Sequence, residues 1–199
     1  LPEGEAPALL NLFGYSGVAS VLASRAGFRV THVDASKSAL SWTRRNAEAS
    51  DVAGDRVRLV HDDALAFARR ELRRGRRYSG VLLDPPHYGR GPKGERFGLE
   101  DHLAELVEVA DALLEDPGFL VLSTYAVGYS PLAFENLLAG LEGVRVATGE
   151  LAIPEESVPG KPTRLLPCGF CARALRGIEL EERWRPRAHE APEAPEAIG

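Results

Sequence analysis

Methionine is absent from the 199 residues, and cysteine occurs only twice, as Cys168 and Cys171. Two cysteines cannot form a disulfide framework, and no basic-then-apolar leader opens the chain, so a reducing, cytoplasmic setting is expected. A chain that starts at Leu1 and lacks Met is expected to be a piece of a longer one. No apolar run approaches the length of a membrane span. Positive charge is also in short supply. The formal net charge is −5, which removes a whole-surface case for nucleic acid and leaves only a local one. The dense basic cluster Arg69, Arg70, Arg73, Arg74, Arg76 and Arg77 sits at the end of a predicted helix. It reads either as a solvated helix end that complements the dipole or as a phosphate-binding patch. Metal-ligand spacing is missing too, both among His32, His61, His102 and His189 and at Cys168-x-x-Cys171, which lacks a second ligand pair. Positions three apart on a strand face opposite ways, so the two cysteines are expected to be buried core residues and no metal is expected.

What is present is ordinary for a globular protein, 44% hydrophobic and 27% charged, and the length suits one domain. Strand-like apolar runs fall at residues 8–13, 28–33, 57–61, 81–83, 119–123, 144–147 and 168–174. Helical stripes lie between them: Val18, Val21 and Leu22; Leu65, Ala68 and Leu72; and Leu103, Leu106, Val107, Ala110, Leu113 and Leu114. Ser36 is placed to cap a helix over 37–47, and Ser130-Pro131 to start one that carries Phe134, Leu137 and Leu138 and stops at Gly140. Strand alternating with helix predicts an α/β fold, a parallel doubly wound sheet with helices on both faces. After residue 144 the alternation fails, because the last two strand candidates are joined by a loop over 153–167, so the final strand is expected to pair antiparallel. One domain over 1–183 is expected, followed by a disordered Pro/Glu/Ala tail over 184–199.

The chemistry-bearing residues cluster at the ends of the early strands. Phe13-Gly14-Tyr15-Ser16-Gly17 lies on a strand-to-helix turn, where missing Cβ atoms allow close approach and unpaired N–H groups attract a carboxylate. Asp34 ends the second strand, Asp62 and Asp63 follow the third, and Asp84 ends the fourth. In a doubly wound sheet ligands bind beyond these strand ends. Asp34 follows Gly14 by 20 residues, the separation at which an acid meets ribose hydroxyls. A nicotinamide cofactor would call for Gly-x-Gly-x-x-Gly, which this turn does not supply. Asp62 and Asp63 have two readings: a helix cap, or one capping while the other accepts an amino hydrogen. Asp84-Pro85-Pro86-His87-Tyr88 is a stiffened loop, two N–H donors short. It can hold the Asp84 carboxylate and a proline carbonyl as paired acceptors for an amino group, beside an aromatic ring. His87 reads equally as a polar loop residue or as a contact to a base.

Taken in order, Asn-Leu-Phe-Gly-Tyr-Ser-Gly, Val-Asp-Ala-Ser-Lys-Ser-Ala-Leu, Asp-Asp-Ala and Asp-Pro-Pro-His-Tyr-Gly resemble the class I S-adenosylmethionine-dependent methyltransferases. The resemblance is to the branch of large-subunit ribosomal RNA methyltransferases and their uncharacterised relatives, and it runs from about Ala8 to Arg176. It implies a Rossmann-like seven-stranded sheet of order 3-2-1-4-5-7-6 with strand 7 antiparallel. It also implies S-adenosylmethionine held by Phe13, Gly14, Tyr15, Ser16 and Gly17, by Asp34, Ala35 and Ser36, by Asp63 and Ala64, and by Asp84. The reaction loop would be Asp84, Pro85, Pro86, His87 and Tyr88.

One departure narrows the chemistry. Members that methylate carbon-5 of cytosine carry a catalytic cysteine after the fifth strand, where this chain reads Ser123-Thr124-Tyr125, and Thr124 cannot replace a thiolate. The expectation is therefore transfer of a methyl group to a nitrogen of an RNA base, ribosomal RNA foremost, without a metal or a membrane. A flipped base would stack on Tyr88 or Phe97 from a loop over 89–98 that is mobile until an acceptor arrives, with Lys93 and Arg96 near phosphates. The alternatives are a small-molecule or protein methyltransferase, and a non-catalytic module that keeps only the cofactor pocket.

Overall fold

A computed structural model describes residues 6–125, 128–156 and 164–179. The tail over 184–199, His189 and the middle of the expected 153–167 loop lie outside the described residues. Five short apolar runs form the parallel part of one sheet: β1 (Ala8–Leu12), β2 (Arg29–Asp34), β3 (Val57–His61), β4 (Tyr78–Leu83) and, after a two-stranded hairpin of β5 (Tyr88–Arg90) and β6 (Arg96–Gly98), β7 (Leu114–Thr124). Two antiparallel strands complete it, β8 (Val144–Pro154) and β9 (Leu165–Arg176). The order is β3-β2-β1-β4-β7-β9-β8. With the separate hairpin left out of the count this is 3-2-1-4-5-7-6, and the last strand runs antiparallel to both its neighbours, as expected.

The central strands are buried on both faces, so their sequences read as continuous apolar runs. Leu10, Leu12, Val33, Val81, Leu83, Leu120 and Leu122 point toward one side. There they meet α3 (Ala64–Arg73), α4 (Leu99–Ala112) and α5 (Pro131–Ala139) in the large core cluster. On the other side Leu9, Val30 and Val57 form a much smaller cluster. Here α1 (Val18–Arg25) and α2 (Lys37–Ala49) pack through small and polar groups: Ser20, Val21 and Ser24 from α1, Ala39 and Thr43 from α2. The predicted stripe on α1 is thus split, with Val21 facing in and Val18 and Leu22 facing out. Val18 and Leu22 are exposed because the serines, small enough for close packing on Asn11 and His32, take the inner face.

Three further expectations are corrected. Residues 89–98 are not an open loop. They form the β5–β6 hairpin, which turns Phe97 into the core against Phe13, ring centroids 5.0 Å apart, so Phe97 is not available to stack on a base. Leu114 does not continue the α4 stripe but opens β7, paired with Tyr78. The strands flanking the expected 153–167 loop run on beyond the sheet as a two-stranded ribbon, with Ile153 opposite Leu166 and Pro154 opposite Leu165, which leaves Cys168 exposed rather than buried. Among the described residues no helix is long and apolar enough to cross a membrane, and no group of three or more His, Cys, Asp or Glu is arranged to hold a metal.

Candidate active site

The chain passes from β1 outward to β2 and β3, then returns to place β4 on the other side of β1. The register aligns the strand ends: Leu12 stands beside Val33 and Leu83, and Asp34 beside His61. Neighbouring strands lie about 4.8 Å apart. The residues that follow each end, Phe13 to Gly17, Asp34 to Ser36, Asp62 to Ala64 and Asp84 to Tyr88, therefore lie along one edge of the sheet, at the switch point between β1 and β4 where such folds open a crevice.

The glycine turn is held in an unusual shape. Phe13, Tyr15 and Gly17 all have positive φ, at 59°, 47° and 84°, which strains the two that carry side chains. Hydrogen bonds hold it there: Gly14 N–H donates to the Val33 carbonyl at 3.1 Å and Tyr15 N–H to Asp34 Oδ2 at 2.8 Å. Thr43 Oγ1 donates to the Tyr15 carbonyl and Asn46 Nδ2 to the Ser16 carbonyl, both at 2.8 Å. A Cβ on Gly14 would fall 2.3 Å from the His32 ring, and one on Gly17 2.3 Å from Thr43. These glycines are thus required first by the protein's own packing and only then by any ligand.

Beneath the turn runs a buried polar chain. Asn11 Nδ2 donates to Ser20 Oγ at 2.8 Å, Ser20 Oγ meets His32 Nδ1 at 2.9 Å, and His32 Nε2 meets Thr43 Oγ1 at 3.3 Å. Because Thr43 uses its hydrogen on backbone carbonyls, the chain is satisfied by a neutral His32 protonated at Nε2 and accepting from Ser20 at Nδ1. Burial pushes the His32 pKa down, in keeping with that form, although Asp34 and a Tyr15 backbone bond pull the other way. The sequence contains a hint of this, polar Asn11 and His32 inside apolar strands, but no pattern that links them across the fold.

α1 opens at Gly17 with no side-chain cap, leaving its first N–H groups facing the crevice. By contrast Ser36 caps α2 and Asp63 caps α3, their side chains accepting from Ala39 and Ala66 N–H at 3.3 and 2.8 Å. Asp34 spends one lone pair of each oxygen on Tyr15 and Ser36 N–H, both at 2.8 Å, and keeps the others. The Ala35 carbonyl is bonded by His61 Nε2 at 2.9 Å. Asp62 is committed to an ion pair with Arg70 and to the Asp63 N–H. Asp63 keeps Oδ2 without a protein partner among the described residues. The basic cluster is correspondingly depleted: Arg69 pairs with Glu105, Arg70 with Asp62 and Arg74 with Glu71.

In the loop that follows β4, Asp84 accepts from Ser123 Oγ at 3.1 Å. Its carboxylate opens to solvent on one side and is walled by protein on the other. That partial burial raises its pKa above the ordinary 3.8, against the opposing pull of the Ser123 bond. Pro85 is buried and anchors the loop, while His87 and Tyr88 stack in parallel with ring centroids 4.4 Å apart. A cavity of about 1000 Å³ lies elsewhere, at the amino ends of β1, β2 and β4. It mixes Arg29, Arg58 and Arg77 with Asp55, Glu115 and Asp116, and has no glycine turn or uncapped helix aimed into it.

The strand order, with helices on both faces of the sheet, defines a Rossmann-like fold. The chain belongs to the family described as Conserved hypothetical protein 95, whose model matches residues 2–125. It is similar to Ribosomal RNA large subunit methyltransferase K/L of Pseudomonas paraeruginosa, 32% identical over 155 residues, and to its namesake in Pseudomonas aeruginosa, 31% identical over the same length. These matches cover 77% of this chain but only 20% of each relative. Among solved structures, the SAM-dependent methyltransferase from Agrobacterium tumefaciens superposes with a TM-score of 0.82 at 37% identity, over 89% of this chain and 57% of that one. SMU.776 in complex with SAH shares the fold, with a TM-score of 0.68 at 20% identity over 87% of this chain and 46% of that one.

Proposed function

We propose that this chain is the catalytic domain of an S-adenosylmethionine-dependent methyltransferase that acts on a nitrogen of an RNA base, ribosomal RNA foremost. What supports the reading is that an uncapped α1 N-terminus, the Asp34 and Asp63 acceptors and the Asp84 loop all follow the carboxyl ends of neighbouring strands. The relatives' names, with RNA or SAM in them, point the same way. The residues fit the cofactor. The uncapped N–H groups after Gly17 suit its carboxylate, the spare lone pairs of Asp34 its ribose hydroxyls, and the spare oxygen of Asp63 with the Ala64 backbone its adenine edge. Ala35 and Ser36 would line the ribose beside Asp34.

When bound, the cofactor supplies a methyl group on a sulfonium with a neutral leaving thioether. The protein's share is orientation, worth up to about 7–11 kcal/mol in favourable cases. Asp84 and the carbonyl of Pro85 accept the hydrogens of an amino group and so aim its lone pair, with Pro86 stiffening the loop. As the nitrogen is alkylated it becomes acidic and releases a proton, which Asp84, held at a raised pKa, is suited to take. A carbon-5 route is disfavoured, because no cysteine stands at Ser123, Thr124 or Tyr125.

Calorimetric titration with S-adenosylhomocysteine is the first test, with binding expected near micromolar and none for NAD. Transfer of radiolabel from S-adenosylmethionine to unmodified large-subunit ribosomal RNA is the second. Binding without label on RNA, but with label on protein or small molecules, would overturn the acceptor; NAD binding in its place would overturn the whole reading.

A further inference from the structure

The reaction loop holds one polar atom without a partner. Among the described residues, Nε2 of His87 is the buried side-chain nitrogen or oxygen that makes no hydrogen bond. A buried donor or acceptor left unpaired is costly, so a site assembled for reaction should offer it a partner. An acid is close by: Oε1 of Glu100, in the first turn of α4, stands 3.9 Å from Nε2. That gap is too long for a hydrogen bond and short enough for a side-chain torsion to close. Glu100 has the freedom to move, with 73% of its side chain in solvent. The two backbones are already tied, because Leu99 N–H donates to the His87 carbonyl at 2.9 Å. Closure therefore needs only the glutamate.

The His87 ring is also fixed to Tyr88, 4.4 Å away and within 9° of parallel. Whatever holds one ring holds the other, and Tyr88 is 75% exposed at the mouth of the crevice. Tyr129, just before α5, faces the same mouth: slight burial, then the charges of Glu100 and Tyr88, raise its pKa. Glu100 thus lies among three rings, His87, Tyr88 and Tyr129, at the place where an aromatic acceptor would enter.

We propose that Glu100 is a positioning residue for the acceptor: its carboxylate closes onto His87 Nε2 and fixes the His87–Tyr88 stack as the platform on which the acceptor ring lies. This rests on the methyltransferase reading of the crevice. The test is a double-mutant cycle on the full-length protein with unmodified large-subunit ribosomal RNA as acceptor. Glu100→Ala should raise KM for RNA by about tenfold, the worth of one charge-assisted hydrogen bond, with a smaller change in kcat. Glu100→Gln, which keeps an acceptor oxygen, should restore most of it. His87→Ala should add little once Glu100 is Ala, because both act through one contact. Fully additive effects, or a KM unmoved by Glu100→Ala, would overturn the role. S-adenosylhomocysteine titration of the same proteins keeps the two readings apart: equal binding in all five locates any failure at Glu100, whereas no binding even in the wild type sinks the methyltransferase reading and this role with it.

Discussion

At the scale of single residues the crevice depends on contacts that leave almost no spare room. Gly14→Ala would drive a methyl group into the His32 imidazole, whose ring atoms lie 2.3–2.4 Å from the ideal Cβ. Overpacking of this kind costs about 1–3 kcal/mol. The expected outcome is a lower Tm and weaker S-adenosylhomocysteine binding together, read by thermal unfolding and calorimetry on the same sample. Asp84 behaves in the opposite sense. Its folded pKa is raised above the unfolded 3.8, so the folded state holds the proton more tightly and stability falls as pH rises through that window. Asp84→Asn removes the charge whose partial burial raises that pKa. It is expected to leave Tm unchanged or higher at neutral pH while methyl transfer collapses, separating the group's catalytic use from its structural cost. A parallel loss of Tm and turnover would show that Asp84 only supports the loop.

At the scale of elements, α4 contributes most to the thick side of the molecule, burying Leu99, Leu103, Leu106, Val107 and Ala110. Leu106→Ala, at a fully buried position, is expected to cost about 2–5 kcal/mol in urea unfolding, whereas Leu22→Ala on the outward face of α1 should fall within about 0.5 kcal/mol. The same contrast explains what the sequence disclosed. Strands buried on both faces, such as Ala8–Leu12 and the last three residues of Tyr78–Leu83, advertise themselves as apolar runs, and Ser36, Ser130 and Gly140 mark helix ends by local chemistry. The β5–β6 hairpin does not. Each strand is three residues long, and its register is set by Phe97 entering the core beside Phe13, a contact 84 positions away in sequence that no local pattern carries. The inward face of α1 was equally hidden, because serines pack there only on account of His32 and Asn11 on other strands.

For the molecule as a whole, strand order was legible because alternation of strand and helix leaves few topologies, and the same alternation put each acid at a strand end. What was not legible is how the crevice is supported. Neutral His32 is an obligate part of that support, and its folded pKa lies below the ordinary 6.5. The unfolded chain therefore binds a proton that the folded one refuses, so stability present above pH 6.5 is lost as pH falls from 6.5 toward the depressed folded value. Urea midpoints measured across that interval should decline, and the part of the decline due to this residue should vanish in His32→Gln, which cannot titrate.

The unequal faces of the sheet carry one more consequence. Where α3, α4 and α5 meet the strands the contact is oily and forgiving, so a randomised library should tolerate Leu, Ile and Met in many combinations. Under α1 and α2 donors and acceptors must match one to one, and a single mismatch at Asn11, Ser20, His32 or Thr43 orphans its neighbours. Surviving variants should thus be lopsided, freely drifting on one flank and nearly frozen on the other.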